Sequence, residues 1–308
     1  MVVKDLWYHS CGAGMIHYRR WEPESKPVAV LQIIHGIVDH AERYDDFARW
    51  MTERGFVVVA EDHMGHGRSG GMGTVRGYFN GGWFSAVDDS YALLKDTAAE
   101  FPDLPYILLG HSMGSYMSLT ILEKYPDANI SGCILCGSGW QLEPALHAGI
   151  RLGETACRIS GDKEPNKRLF DFVVGAFNFA IDEPQTAYDW TNSDPESVKA
   201  FLSDPLSDFT VKCGLMLDLL TGIEWVQRDE NLNHIKASMP LLLISGTEDP
   251  VGMYGEGVNK LYYALLGHGI DAVNLRLYPT RRHELLHERN KDRVYQDVLD
   301  WINEVTEI

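Results

Sequence analysis

A chain of 308 residues with 27 basic and 44 acidic side chains carries a formal charge of −17, which argues against nucleic acid as a partner, because phosphate contacts require clustered cations. No run approaches the ~20 apolar residues needed to span a bilayer, and the opening Met1-Val-Val-Lys-Asp-Leu-Trp-Tyr8 lacks the apolar segment of a secretory signal. Five cysteines without paired spacing fit a reducing compartment, so the expectation is a cytoplasmic protein without stable membrane insertion, its oligomeric state left open.

Two strands are expected near 5–10 and 14–21, then an apolar strand over 27–34 that leads into His35-Gly36-Ile37. A helix at about 42–54, a strand at 56–61 and a long helix over 83–101 follow. Tyr106-Ile-Leu-Leu is another apolar strand; it runs straight into Gly110-His111-Ser112-Met113-Gly114 and a helix that stops before Pro126. A strand over 130–137 comes next. From 139 to 236 the chain has helical patterns, polar breaks and aromatics but no convincing strand. Alternation resumes at 239, with an apolar strand ending in the turn that carries Asp249, a strand from 272 whose following loop carries His283, and a closing helix at about 288–305. Folds of the α/β class often reach this length as one domain with an insertion. The expected organisation is a core of 1–138 and 237–308 with 139–236 inserted as a helical cap over the strand ends.

Candidate chemistry collects just past the C-terminal ends of these strands, where open α/β sheets gather their functional groups. Gly110-His111-Ser112-Met113-Gly114 fits G-x-S-x-G, a sharp strand-to-helix turn that projects the serine hydroxyl. The flanking glycines are needed because a Cβ would collide with the adjoining elements. A serine hydroxyl is a poor nucleophile until a base takes its proton. His283 would be that base, with Asp249 fixing its tautomer and stabilising the imidazolium. The oxyanion formed on attack needs two donors, assigned to the backbone N–H groups of Met113 and Ile37.

These segments resemble α/β-hydrolases of the monoacylglycerol lipase and lysophospholipase type, also grouped with serine aminopeptidases. The resemblance rests on His35-Gly36-x-x-Asp39-His40-x-x-Arg43-Tyr44, Asp62-His-Met-Gly-His-Gly-Arg-Ser69, the serine turn, Gly246-Thr-Glu-Asp249-Pro250 and Arg282-His283-Glu284, in that order over nearly the whole chain. Asp39 stands where these lipases usually carry Glu, and Met64 where Arg is common. The stretch from Asp189-Trp190 to Asp204-Pro205 is also similar to a clostridial-type lysophospholipase subgroup. The resemblance implies an eight-stranded, mostly parallel sheet, a Ser112–His283–Asp249 triad working through an acyl-enzyme, no cofactor, and His35, Gly36 and His111 beside the substrate.

Other patterns carry competing chemistry. His283-Glu284-Leu285-Leu286-His287 fits the zinc motif H-E-x-x-H, but that motif needs one continuous helix and this one starts in a loop. Gly65-His66-Gly67-Arg68-Ser69-Gly70 fits G-x-G-x-x-G, yet the glycine-rich residues after it cannot form the helix that would hold a pyrophosphate. Cys133 and Cys136 lie in one strand, where residues three apart face opposite sides. His35, His40 and Asp39 are read as oxyanion-loop residues, so no metal is expected.

The apolar stretches 169–179 and 215–225 suit a pocket wall above Ser112, hence a small-molecule ester with an acyl chain; a small aromatic ester would also fit. An aminopeptidase or amidase would need a carboxylate to hold the substrate ammonium, and Glu183, Glu224 and Asp218 are available. A catalytically silent binding protein usually lacks a triad member, whereas this chain keeps all three. A dehalogenase would carry Asp at the turn.

Overall fold

The structure, a computed structural model, describes residues 1–308 apart from Met72 and Ala176. Those two positions, one in the glycine-rich loop and one in the apolar stretch 169–179, lie outside the described residues.

Strands β1 (Val2–His9) and β2 (Met15–Glu22) pair antiparallel. They are followed by β3 (Ala29–Ile34), α1 (Asp45–Thr52), β4 (Phe56–Glu61), α2 (Gly82–Glu100), β5 (Tyr106–His111), α3 (Met113–Lys124) and β6 (Gly132–Cys136). Helices α4 (Glu143–Ser160), α5 (Lys167–Val173), α6 (Pro195–Leu202), α7 (Cys213–Val226) and α8 (Asp229–Leu232) come next, with no strand among the described residues of 139–236. The chain closes with β7 (Leu241–Gly246), α9 (Glu256–Gly267), β8 (Val273–Tyr278) and α10 (Lys291–Thr306).

The eight strands form one sheet in the order β1-β2-β4-β3-β5-β6-β7-β8, parallel from β4 to β8. Strands β3 to β7 are buried at every position, because helices cover both faces of a parallel sheet. Alternate residues feed two cores. Val30 and Ile34 join Leu94, Met117 and Leu261 on one face, while Leu31 and Ile33 join Phe47, Met51 and Trp301 on the other. Each of these side chains contributes about 1.5–3 kcal/mol on burial. Cys133 and Cys136 divide between the two cores in the same way.

Helix α7 joins the 139–236 segment to the sheet layer. A Cβ on Gly222 would stand 2.2 Å from the Trp83 ring of α2, so only glycine permits that approach. Gly149 and Gly153 of α4 face Leu220 and Leu217 of α7 less tightly, at 3.2 and 3.1 Å for a built Cβ. Among the described residues, no helix is long and apolar enough to cross a membrane.

Candidate active site

Strand β5 ends at His111 and α3 begins at Met113, leaving Ser112 alone to reverse direction. Its φ of 53° and ψ of −120° are strained for a residue with a side chain. The Ser112 N–H donates to Cys136 O at 2.8 Å, which ties the turn to β6. A Cβ on Gly110 would lie 2.3 Å from Gly114 O, and one on Gly114 only 1.9 Å from Ile34 O. The two glycines therefore let the strand, the helix and β3 converge on the serine. Gly36 completes the fit, its built Cβ standing 3.2 Å from Ser112 Cβ.

Asp249 lies in the turn after β7, and His283 in the loop after β8. His283 Nδ1–H donates to both carboxylate oxygens of Asp249, each at 3.0 Å. The remaining acceptor capacity of Asp249 takes the Val251 N–H at 2.9 Å and the Ser245 hydroxyl at 3.1 Å. Burial would raise the Asp249 pKa, but the His283 charge and these hydrogen bonds outweigh it and hold the carboxyl below its ordinary range. Burial pulls the His283 pKa down. The charge and hydrogen bond of Asp249 overcome that, Glu284 and Asp39 add to it, and the pKa ends above the ordinary 6.5.

Nδ1 is thereby committed, and Nε2 is left as the proton acceptor. Ser112 and His283 line one cavity; no hydrogen bond joins them among the described residues, an arrangement common in sites without substrate. Neither Ile37 nor Met113 gives its backbone N–H to a protein acceptor among the described residues, and both line the same cavity.

A buried ionic network stands behind the cavity. Arg43 donates to Asp39 Oδ1 at 3.0 Å and to both oxygens of Glu284 at 2.9 and 2.8 Å. Tyr44 donates to Asp39 Oδ2 at 2.7 Å, and its oxygen lies 3.0 Å from His111 Nδ1. Burial opposes ionisation of both carboxyls, yet the Arg43 charge between them keeps both pKa values low. The network joins the loop after β3 to the loop carrying His283.

Gly36 and His111 line the cavity, but His35 does not. The His35 ring is fully buried behind the wall: Nδ1–H donates to Gly36 O at 2.7 Å and Nε2 accepts the His63 N–H at 3.0 Å. Burial, with the neighbouring His63, pushes its pKa well down, so it is a neutral strut. His40 bonds to Asp204 through Nε2 at 2.9 Å. In the H-E-x-x-H pattern, His283 precedes a 3-10 turn over Leu285–His287, and His287 packs against the Tyr44 ring. The G-x-G-x-x-G loop contains a 3-10 turn at Gly67–Ser69, held by the Asp62 carboxylate, which accepts the Arg68 N–H at 2.8 Å.

The cavity measures about 320 Å³, within the range of small-ligand sites. Its wall is mainly apolar, with Phe170, Phe177, Leu219 and Ile223 contributed from 139–236. No Lys or Arg lines it among the described residues; its two carboxylates, Asp39 and Glu284, both pair with Arg43. Glu183, Glu224 and Asp218 are absent from the described lining. Two neighbours of His283 escape sequence reasoning. Gly137 has φ +62°, and its built Cβ would stand 2.9 Å from His283 Cε1; the Trp190 ring lies 5.1 Å from the imidazole. A glycine directly after a strand is the one signal that could have flagged the first.

A family model described as "Serine aminopeptidase, S33" matches residues 25–290. The chain is 29% identical over 296 residues to a monoacylglycerol lipase of Mycolicibacterium smegmatis, covering 94% of each. It is 28% identical over 232 residues to the monoglyceride lipase of Mus musculus, covering 75% of this chain and 68% of that one. Among solved structures, a highly thermostable carboxyl esterase from Bacillus coagulans, in complex with glycerol, aligns at a TM-score of 0.91 and 29% identity over 99% of both chains.

Proposed function

Because the chain belongs to the serine aminopeptidase family, with the α/β-hydrolase fold, we propose that Ser112, His283 and Asp249 form the triad of its ester-hydrolysing site. The chain is a carboxylic ester hydrolase. His283 Nε2 takes the Ser112 proton as Oγ attacks the ester carbonyl, and the N–H groups of Ile37 and Met113 receive the oxyanion. Collapse expels the alcohol, protonated by His283, and leaves an acyl-enzyme. Water, deprotonated by the same imidazole, then releases the acid. Asp249 stabilises each imidazolium.

The substrate is a neutral ester of the monoacylglycerol or lysophospholipid type, with the acyl chain against the wall that 139–236 supplies as a cap. One observation carries this reading: Ser112 and His283 open on an apolar cavity whose only described carboxylates, Asp39 and Glu284, are already paired with Arg43. An aminopeptidase would need a free carboxylate there for the substrate ammonium, which favours the ester. Five free cysteines support a cytoplasmic location.

A p-nitrophenyl ester chain-length series run beside amino-acid arylamides tests the assignment. A buried methylene is worth ~0.8 kcal/mol, so kcat/KM should rise about three- to fourfold per CH₂ until the cavity is full, at short to medium length. Arylamides cleaved faster than every ester would replace the reading with a peptidase.

A further inference from the structure

The 3-10 turn Asp189–Thr191 lies within the segment 139–236, yet it is fastened to the loop that carries His283. Arg282 Nη1 donates to Asp189 O at 2.7 Å and to Asn192 O at 3.0 Å, and the Glu284 N–H donates to Thr191 O at 2.7 Å. The residues on either side of His283 thus hold the residues on either side of Trp190. Glu288, buried, reinforces the junction: Oε1 accepts the Arg282 N–H at 3.0 Å and the Ser193 N–H at 3.1 Å. Trp190 itself is 7% exposed, lines the cavity, and sets its ring 5.1 Å from the imidazole at 45°.

From this geometry we propose that the Asp189–Thr191 turn is a positioning element for His283, with Trp190 as its contact and Arg282 as its latch. The proposal rests on the reading of His283 as the base. The ring is already bounded by Asp249 at Nδ1, by Gly137 near Cε1 and by His111 at 4.9 Å. Trp190 closes a further side, and a rigid indole limits tilting of the imidazole about the Asp249 hydrogen bonds. It also keeps water from the ring. Because the same indole is cavity wall, a ligand filling the cavity presses on the group that orients the base. The turn therefore couples occupancy of the site to the aim of Nε2.

The charged and titratable groups facing the imidazole are Asp249, Asp39, Glu284 and His111, with Arg43 behind the two carboxylates. Trp190 adds no charge, so its removal acts through geometry and solvation. Burial disfavours the imidazolium; admitting water should move the acid limb of activity to higher pH.

The test is the rate of covalent labelling by a small fluorophosphonate, too short to use the cavity wall, measured against pH. At the alkaline plateau the base is neutral in every variant, so the plateau rate reports geometry alone. Trp190→Ala is expected to lower the plateau about tenfold or more and to raise the midpoint, while Trp190→Phe stays within about threefold of wild type. Arg282→Gln, which leaves the wall intact, should also lower the plateau. If Trp190→Ala does not fold, the Arg282→Gln plateau decides alone. Wild-type plateaus in the folded variants would overturn the latch. His283→Ala separates the two readings: labelling at the wild-type rate there would remove the base itself, whereas its loss, with Trp190 and Arg282 variants unaffected, would remove only the latch.

Discussion

His283 Nδ1 stands 3.0 Å from both carboxylate oxygens of Asp249, and Asp249 is fully buried. A carboxylate only accepts, so Nδ1 carries the proton and Nε2 is free for the serine. In the proposed mechanism the active form is the neutral imidazole, and the pKa of His283 is raised above 6.5. Activity should therefore be low below that pH and rise through a single limb lying above it. Asp249→Asn offers the wrong hydrogen-bonding partner and should lower kcat by about 10⁴-fold with the fold retained. Glu248→Gln, at an exposed carboxyl 3.8 Å from Arg282 Nε, should change kcat little. A limb below pH 6 would contradict this electrostatic account.

Gly137 and Gly114 should fail in different ways when changed to alanine. A methyl at Gly137 would meet His283 Cε1 at 2.9 Å, whereas one at Gly114 would meet Ile34 O at 1.9 Å. Gly137→Ala should keep most of its stability, losing about 1–2 kcal/mol through its left-handed φ, while kcat falls ~10-fold or more as the ring is displaced. Gly114→Ala must separate α3 from β3 and should cost several kcal/mol. Paired thermal melts and esterase assays distinguish the two; equal damage to stability in both would count against the assignment of Gly137.

Glu123, in α3, is buried with neither carboxylate oxygen hydrogen-bonded. Burial raises its pKa well above 4.5. Between 4.5 and that raised value the folded state holds the proton more tightly than the unfolded chain, so stability falls as pH rises through the window. Glu123→Gln should remove this penalty and gain about 1–3 kcal/mol at the alkaline end of the window, with little gain near pH 4.5. Parallel stability–pH curves for the two proteins would refute it.

The H-E-x-x-H pattern gives a prediction about metal. His283 spends Nδ1 on Asp249 and sits in a loop, while His287 lies in a 3-10 turn with its pKa pushed down to about 4 by burial and the Arg43 charge. EDTA should leave the rate unchanged and His287→Ala should retain most activity. Loss in EDTA that zinc restores would make these histidines ligands.

The elements that carry the site are legible where local chemistry dictates them. Tyr106–His111 and Met113–Lys124 follow from an apolar strand, two obligatory glycines and Pro126, and the sheet strands from short apolar runs. Boundaries shift where a 3-10 turn intervenes. The expected helix over 42–54 is a turn at Ala41–Tyr44 followed by α1, and the last helix starts at Lys291 because Leu285–His287 form a turn first. Long-range contacts leave no such trace. Trp190 lies 93 residues from His283, and nothing in its neighbourhood announces that its ring meets the imidazole. His35 illustrates the converse: its place beside Gly36 suggests substrate contact, but the ring turns inward to bond Gly36 O and the His63 N–H. Sequence adjacency to the cavity does not decide which way a side chain points.

The central claim, that Ser112 is a nucleophile activated by His283, is tested most directly by mass spectrometry of the protein after fluorophosphonate treatment. The account predicts one adduct, on Ser112, absent in Ser112→Ala and formed at least about 10³-fold more slowly in His283→Ala. An adduct on another residue, or undiminished labelling without His283, would contradict it.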